Sequence, residues 1–357
     1  MKRITVLVPV INIVGAVFTY VYFTYILEFR DVKTDIPGYY SPLFFVIGTV
    51  FLVFTFNLGS RKSVRELFAI AYGDTDIRTL EESEKYHLQR EALQFPLAVS
   101  VISFAVWILA GFIFGLLEPL ITGKLFNLET PDLIYGIRRF LGIGFLGGGV
   151  TTLLLYFILE NEWRRCIPRF FPEGHLSRVR HVFRLTVRKR FLIVFLGVTL
   201  IPMPVLGVAT YSRVMALHLA DAVTRSRILA SMAGELAFIA IDAFAISLIL
   251  AYFLSKSISE PLAQIRTALE AVANDDLDTR VEIVSNDELG EVAEGFNRMI
   301  AGMREHQKLK DSFGKFVSRE IRDEIMAGKS SLDGEMKRTT LLFSDPVSYT
   351  HLTLPTN

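Results

Sequence analysis

The sequence predicts a mainly α-helical protein: a six-helix transmembrane bundle, then two short heptad helices forming a parallel coiled coil, then one further short helix. Three observations lead there. The hydrophobic fraction is 51%, with 29 Phe and a mean hydropathy of +0.40, too apolar for a soluble chain of 357 residues. Six stretches approach the roughly 20 apolar residues that a bilayer core requires. Beyond the last of them, apolar residues recur at intervals of four and three, the spacing of a coiled-coil seam.

The six stretches are residues 4–27, 43–58, 95–117, 140–159, 191–211 and 232–254, so residues 1–254 read as a sensing and anchoring membrane region. The second stretch is short and can be extended back to Tyr39. Met1-Lys2-Arg3 precedes an apolar run too long for a signal peptide and without a small-residue cleavage site, which predicts a retained anchor. Lys and Arg set the orientation. Six fall between Gly59 and Gln94 and nine between Glu160 and Arg190, against two or three in each connection on the other side. The positive-inside rule then places both termini in the cytoplasm. Arg138 and Arg139, beside the fourth stretch, run against that rule.

A net charge of +1 gives no footprint for nucleic acid, and the single cysteine, Cys166, excludes an intramolecular disulfide. Membrane lipids are the expected surroundings. The basic group Arg178, Arg180, Arg184, Arg188, Lys189 and Arg190 reads first as a positive-inside signal and second as an attraction for anionic headgroups.

Gly142-Ile143-Gly144-Phe145-Leu146-Gly147 has the letters of a dinucleotide fingerprint, but no strand precedes it and it lies within an apolar stretch, so close helix packing is expected. Pro202 and Pro204 predict a kink or break in the fifth stretch. Glu235 and Asp242, one heptad apart in the sixth, are candidate intramembrane sensors, because an ionisable group at that depth must face a bundle interior or a watery cavity. The bland alternative is a structural hydrogen bond. None of the six histidines stands at metal-ligand spacing.

The seam itself consists of Ile258, Leu262, Ile265, Leu269 and Val272, repeated by Leu289, Val292, Phe296, Met299 and Met303. The connector 274–286 is polar except for Leu277, Val281 and Ile283, and Ser285-Asn286-Asp287-Glu288 fits a capping box. Together with Pro261-Leu262, Asp276-Leu277-Asp278-Thr279-Arg280-Val281, Asp287-Glu288-Leu289-Gly290 and Phe296-Asn297-Arg298-Met299, these residues resemble a HAMP domain over 255–306. The resemblance implies a homodimer closing a four-helix bundle, in a receptor of the bacterial cytoplasmic membrane. The family usually has Gly where Asp275 stands, and Asp tolerates the left-handed backbone better than most residues.

After Met303 the seam is interrupted by His306 and Lys310, which predicts a separate short helix over 307–328. Its Phe313-Gly314-Lys315-Phe316-Val317-Ser318 resembles the transducing helix of membrane-bound class III adenylate or guanylate cyclases. Residues 329–345, with Gly334-Glu335-Met336-Lys337-Arg338 leading into Leu341-Leu342-Phe343-Ser344-Asp345, resemble the first strand of that α/β catalytic domain. The resemblance implies that Asp345 is one of two aspartates binding Mg²⁺ or Mn²⁺, and that the intact protein converts ATP or GTP to a cyclic nucleotide and pyrophosphate. Two carboxylate-held ions suit that chemistry by stabilising the attacking and leaving oxygens.

The match stops there. Residues 346–357 lack the Gly-Phe-Thr turn of the family and resemble a translated adapter sequence, so they are expected to be a non-native tail on an inactive fragment. The rival readings are a chemoreceptor or histidine kinase output, disfavoured by the absence of a phosphoacceptor motif at His306 and of a long heptad stalk, and a transporter, for which a HAMP segment is out of place.

Overall fold

A computed structural model describes residues 3–23, 62–117, 133–172, 174, 176, 179, 182–316, 338 and 340–343. The chain divides into two compact units, Met1–Ile300 and Ala301–Asn357. In the first, α1 (Arg3–Val21) is followed by the short amphipathic α2 (Lys62–Tyr72), whose Leu67, Ile70 and Ala71 are buried. A turn through Gly73, at φ +85°, leads to α3 (Glu82–Gly111), which continues as a π-helix, Phe112–Leu117. Helix α4 (Leu133–Phe140), a second π segment (Leu141–Gly147), α5 (Gly148–Trp163) and α6 (Ile167–Phe170) follow nearly end to end.

Thr186 accepts from the Lys189 amide to cap α7 (Val187–Leu200), and α8 (Pro202–Leu219) follows directly after Ile201, which keeps helical backbone angles. Pro202 has no N–H to continue the ladder, so the hydrogen-bond pattern is interrupted there while the helical course continues to His218. Asp221 accepts from the Thr224 amide and caps α9 (Ala222–Ala273), a single 52-residue helix. The last helix, α10, spans Glu288–Phe316.

Among the described residues, four helical stretches are long and apolar enough to cross a membrane: Glu82–Leu117, Gly136–Phe170, Val187–His218 and Ala222–Ala273. The first apolar helix, Val6–Val21, is shorter. The expected stretch 43–58 lies outside the described residues. The other boundaries differ from expectation because the helices run past their apolar portions: α3 starts 13 residues before Phe95, and α9 continues beyond Leu254 into the seam.

The Gly136–Phe170 stretch is the centre of the bundle, with 61% of its apolar window buried, against 6% for Val187–His218. Its glycines allow this. A Cβ on Gly111 of α3 would come within 3.1 Å of the Gly144 nitrogen, so the two backbones cross with no room for a side chain.

The core at the opposite end from Glu235 is shared between bundle and seam. Leu67, Ile70, Leu88, Trp163, Phe170 and Val179 pack in one cluster with Ile265, Ala268, Val281, Ile283, Phe296 and Ile300. The Trp163 indole donates to the Ala92 carbonyl at 2.7 Å and packs against Phe95 and Phe68. Burying a side chain such as Phe296 contributes about 1.5–3 kcal/mol, so the seam is held to the bundle by apolar contact as well as by chain connection.

In the second unit, α10 continues through His306 and Lys310 to Phe316, so the interruption of the seam does not break the helix. Both residues are exposed and compatible with helix, where a charge costs little. Thr340 to Phe343 have no regular structure, and Leu341, Leu342 and Phe343 are exposed. The expected strand is absent among these residues, as a strand without a neighbour to receive its N–H and C=O groups has nothing to hold it. Asp345 lies outside the described residues.

Candidate functional site

Helix α9 carries the first half of the seam directly out of the apolar bundle. Pro261 and Ile265 are buried, whereas Leu262 and Leu269 are about half exposed. In α10, Phe296 is buried, while Val292, Met299 and Met303 are exposed and Leu289 is intermediate. Each helix therefore turns some seam positions inward and leaves a second apolar stripe uncovered. Ala268, Ala293 and Ile300 complete the inward face.

The connector is pinned rather than loose. Asp275 adopts φ 63°, the left-handed turn expected of it, and Leu277 is half-buried. Val281 and Ile283 are buried, and the Asn297 amide grips the Val281 backbone at both ends, accepting from its N–H at 3.0 Å and donating to its C=O at 2.8 Å.

The start of α10 departs from the expected capping box. Asp287, not Ser285, is the cap: its Oδ1 accepts from the amides of Leu289 (3.1 Å) and Gly290 (3.2 Å) and from the Ser285 hydroxyl (2.6 Å). A carboxylate serves this position better than a hydroxyl because the helix N-terminus is electropositive. Glu288 does not fold back on Ser285; it accepts from the Val187 amide at 2.9 Å, at the start of α7. A Cβ at Gly290 would collide with the Ser285 carbonyl, which accounts for glycine there.

Arg190 connects this cap to the bundle. Its Nη2 lies 2.7 Å from Glu160 Oε1 at the end of α5 and 2.9 Å from Asp287 Oδ2, and the side chain is 2% exposed. Arg164 joins the same group, donating to Glu160 at 3.3 Å and to the Ser257 carbonyl of α9 at 2.9 Å. Arg184 pairs with Glu291 beside it. The sequence places Arg190 in a surface basic group; the structure buries it, because two carboxylates converge on it from different elements.

A second ionic group lies near the other end of α9. Glu235, 2% exposed, accepts from Arg138 Nη2 at 2.8 and 2.7 Å, from the Tyr22 hydroxyl at 3.0 Å and from Arg213 at 3.4 Å. This group ties α1, α4 and α8 to α9, and it gives Arg138 a reason to stand where the positive-inside rule disfavours it. Asp242 is separate. It is half-buried beside an apolar cavity of about 10 Å³, next to Pro202, and its Oδ2 has no hydrogen-bond partner among the described residues.

The sequence could not supply the partners of Glu235 or the role of Arg190, since both depend on contacts between residues 22 to 213 positions apart. Among the described residues no group of three or more His, Cys, Asp or Glu side chains is placed to hold a metal.

Residues 253–305 match the HAMP domain family. Over 98% of its length the chain is similar to an uncharacterised protein of Mycobacterium tuberculosis and to one of Mycobacterium bovis, each 24% identical over 365 aligned residues. It spans 61% of the length of these relatives. A further uncharacterised Mycobacterium tuberculosis protein is 36% identical over 104 residues, covering 29% of this chain and 19% of that protein. No solved structure matches. A HAMP domain joined without interruption to an apolar helix, with four helices among the described residues long and apolar enough to cross a membrane, marks a membrane-anchored signal-transducing receptor.

Proposed function

We propose that this chain is the sensing and relaying part of a HAMP-regulated class III adenylate or guanylate cyclase of the bacterial cytoplasmic membrane. The chain is multi-pass with both termini cytoplasmic, and it acts as a homodimer. The observation that carries the relay is α9: one unbroken helix from Asp221 through the apolar bundle to Ala273. A helix packs against its neighbours in discrete ways, so a shift at Glu235 or Asp242 reaches Leu262 and Leu269 as a shift or rotation of the seam. Arg190 provides a second route, from α5 and α7 to the cap of α10, bypassing α9.

The uncovered stripe of Leu262, Leu269, Val292, Met299 and Met303 supports the homodimer, because an apolar stripe on each seam helix outside the membrane calls for a second subunit. The cyclase output rests on the resemblance of residues 313–345. In the whole protein, Asp345 would contribute one carboxylate to Mg²⁺ or Mn²⁺ at the ATP or GTP site. One carboxylate alone does not make such a site, and this sequence supplies no further member of it.

The test is direct. The native gene is read past the codon for Asp345 and the full protein is assayed in membranes with ATP and GTP. Formation of cAMP or cGMP, lost in Asp345→Ala, is the expected result; an output domain of another class refutes the cyclase reading and leaves the relay intact.

A further inference from the structure

The register of the seam does not stop where α9 enters the apolar bundle. Intervals of seven back from Leu269 and Leu262 pass through Ser255, Leu248, Ile241 and Gly234, and all six residues are exposed on this one helix. Between them, the seam position Ile258 is preceded by Ala251, Phe244, Ala237 and Ala230 at the same alternating steps, and these four are exposed as well. The register therefore runs without a skip from Gly234 to Leu269, about 52 Å at 1.5 Å per residue. The helix packs into the bundle by other positions: Ile228, Glu235, Ile239, Ile246 and Leu250 are buried, on the side away from this stripe.

Lipid tails cover any apolar face, so exposure alone does not choose an occupant. The stripe, however, continues the uncovered seam residues on the same unbroken helix, so a partner helix lying against Leu262 and Leu269 has the stripe in front of it. From Ala230 to Ala237 every stripe residue is Ala or Gly, the sizes that let two helix backbones approach in a membrane, whereas the large exposed Leu229 and Leu236 stand off the stripe. A Cβ on Gly234 would meet nothing within 4 Å, so no contact among the described residues accounts for a glycine that weakens the helix interior. Arg227, exposed one heptad before Gly234, ends the stripe, because two copies would oppose like charges there.

We propose that two copies of this chain pair along α9 from Ala230 to Ser255, as a left-handed coiled coil continuous with the seam. The pairing rests on the homodimer reading above and extends it into the membrane. A seven-residue repeat drifts by about 20° per heptad on a straight helix, and a left-handed crossing of about 20° keeps it in contact. Glu235 and Asp242 directly follow the stripe residues Gly234 and Ile241, so a change at either carboxylate alters how the two helices meet and reaches Leu262 through the pair.

Single cysteines are placed in the full chain and oxidised in native membranes, and the initial rate of disulfide formation between copies is read on non-reducing gels. Ile241→Cys and Leu248→Cys should cross-link at least roughly tenfold faster than Leu236→Cys and Ile249→Cys, which are exposed at similar depth but off the stripe, because pairing raises the effective concentration of the two thiols. Gly234→Ile should slow cross-linking at Ile241→Cys by roughly tenfold, the effect of overpacking a close contact. That variant leaves the fold of one chain intact, since nothing among the described residues stands in the way of the new side chain's Cβ. Leu262→Cys separates the pairing from the reading beneath it. Fast cross-linking at Leu262 with equal rates at Ile241 and Leu236 keeps the homodimer and overturns the pairing in the membrane, as does an unchanged rate at Ile241→Cys in the Gly234→Ile variant. No disulfide between copies at Leu262 or at any stripe residue overturns both.

Discussion

Arg190 and Asp287 lie 2.9 Å apart, although one stands at the start of an apolar helix and the other caps a helix of the HAMP domain. With Glu160 on its other side, Arg190 is a buried cation between two carboxylates. Desolvation makes such a group a modest source of stability, yet removing one member leaves uncompensated charge, which costs far more.

Arg190→Ala should therefore destabilise the detergent-solubilised protein by about 3–5 kcal/mol, leaving Glu160 and Asp287 buried together. The Arg190→Met, Glu160→Gln, Asp287→Asn combination should recover much of that loss while uncoupling the seam from α7. Thermal denaturation measures the first effect, and cross-linking of the seam measures the second.

Glu235→Gln should cost a similar amount, about 3–5 kcal/mol, because Arg138 and Arg213 then face each other without their shared carboxylate. Tyr22→Phe should cost about 1.5–3 kcal/mol, the scale of a hydrogen bond to a charged group. A stability assay in detergent that ranks the two variants the other way round would contradict this arrangement.

Asp242 behaves differently from Glu235 in having, among the described residues, an unpartnered oxygen beside an apolar cavity. Asp242→Leu should leave stability unchanged or raise it by about 1–3 kcal/mol, because a desolvated polar group is removed. If Asp242 is a sensor, the same variant locks the output of the full protein in one state, whatever stimulus is applied.

Leu262→Cys and Val292→Cys should each form a disulfide between two copies under oxidising conditions, while Ile265→Cys should not, since Ile265 is turned inward. Cys166 is buried and gives little background. A non-reducing gel reads the result, and monomers for both exposed positions would argue against the homodimer.

Gly290→Ala should destabilise the start of α10 by about 1–3 kcal/mol, the cost of overpacking, since the new methyl meets the Ser285 carbonyl. Hydrogen exchange at the amides of Leu289 to Glu291 should quicken.

The sequence by itself determined the helical, apolar character of the chain, the interrupted hydrogen-bond ladder at Pro202 and the two seam helices, because each follows from a local rule of periodicity or backbone sterics, while the left-handed turn at Asp275 followed from the family resemblance. Local rules also suggested Ser285 as a cap, and there they failed: Ser285 became a donor to Asp287 once Arg190 fixed the carboxylate. Only the tertiary structure decided which seam residues turn inward, that Arg138 serves Glu235, and that Arg190 leaves the surface for the space between Glu160 and Asp287. Burying a charge is favourable only where opposite charges converge, and that convergence depends on residues far apart in the chain, which no spacing in the sequence records.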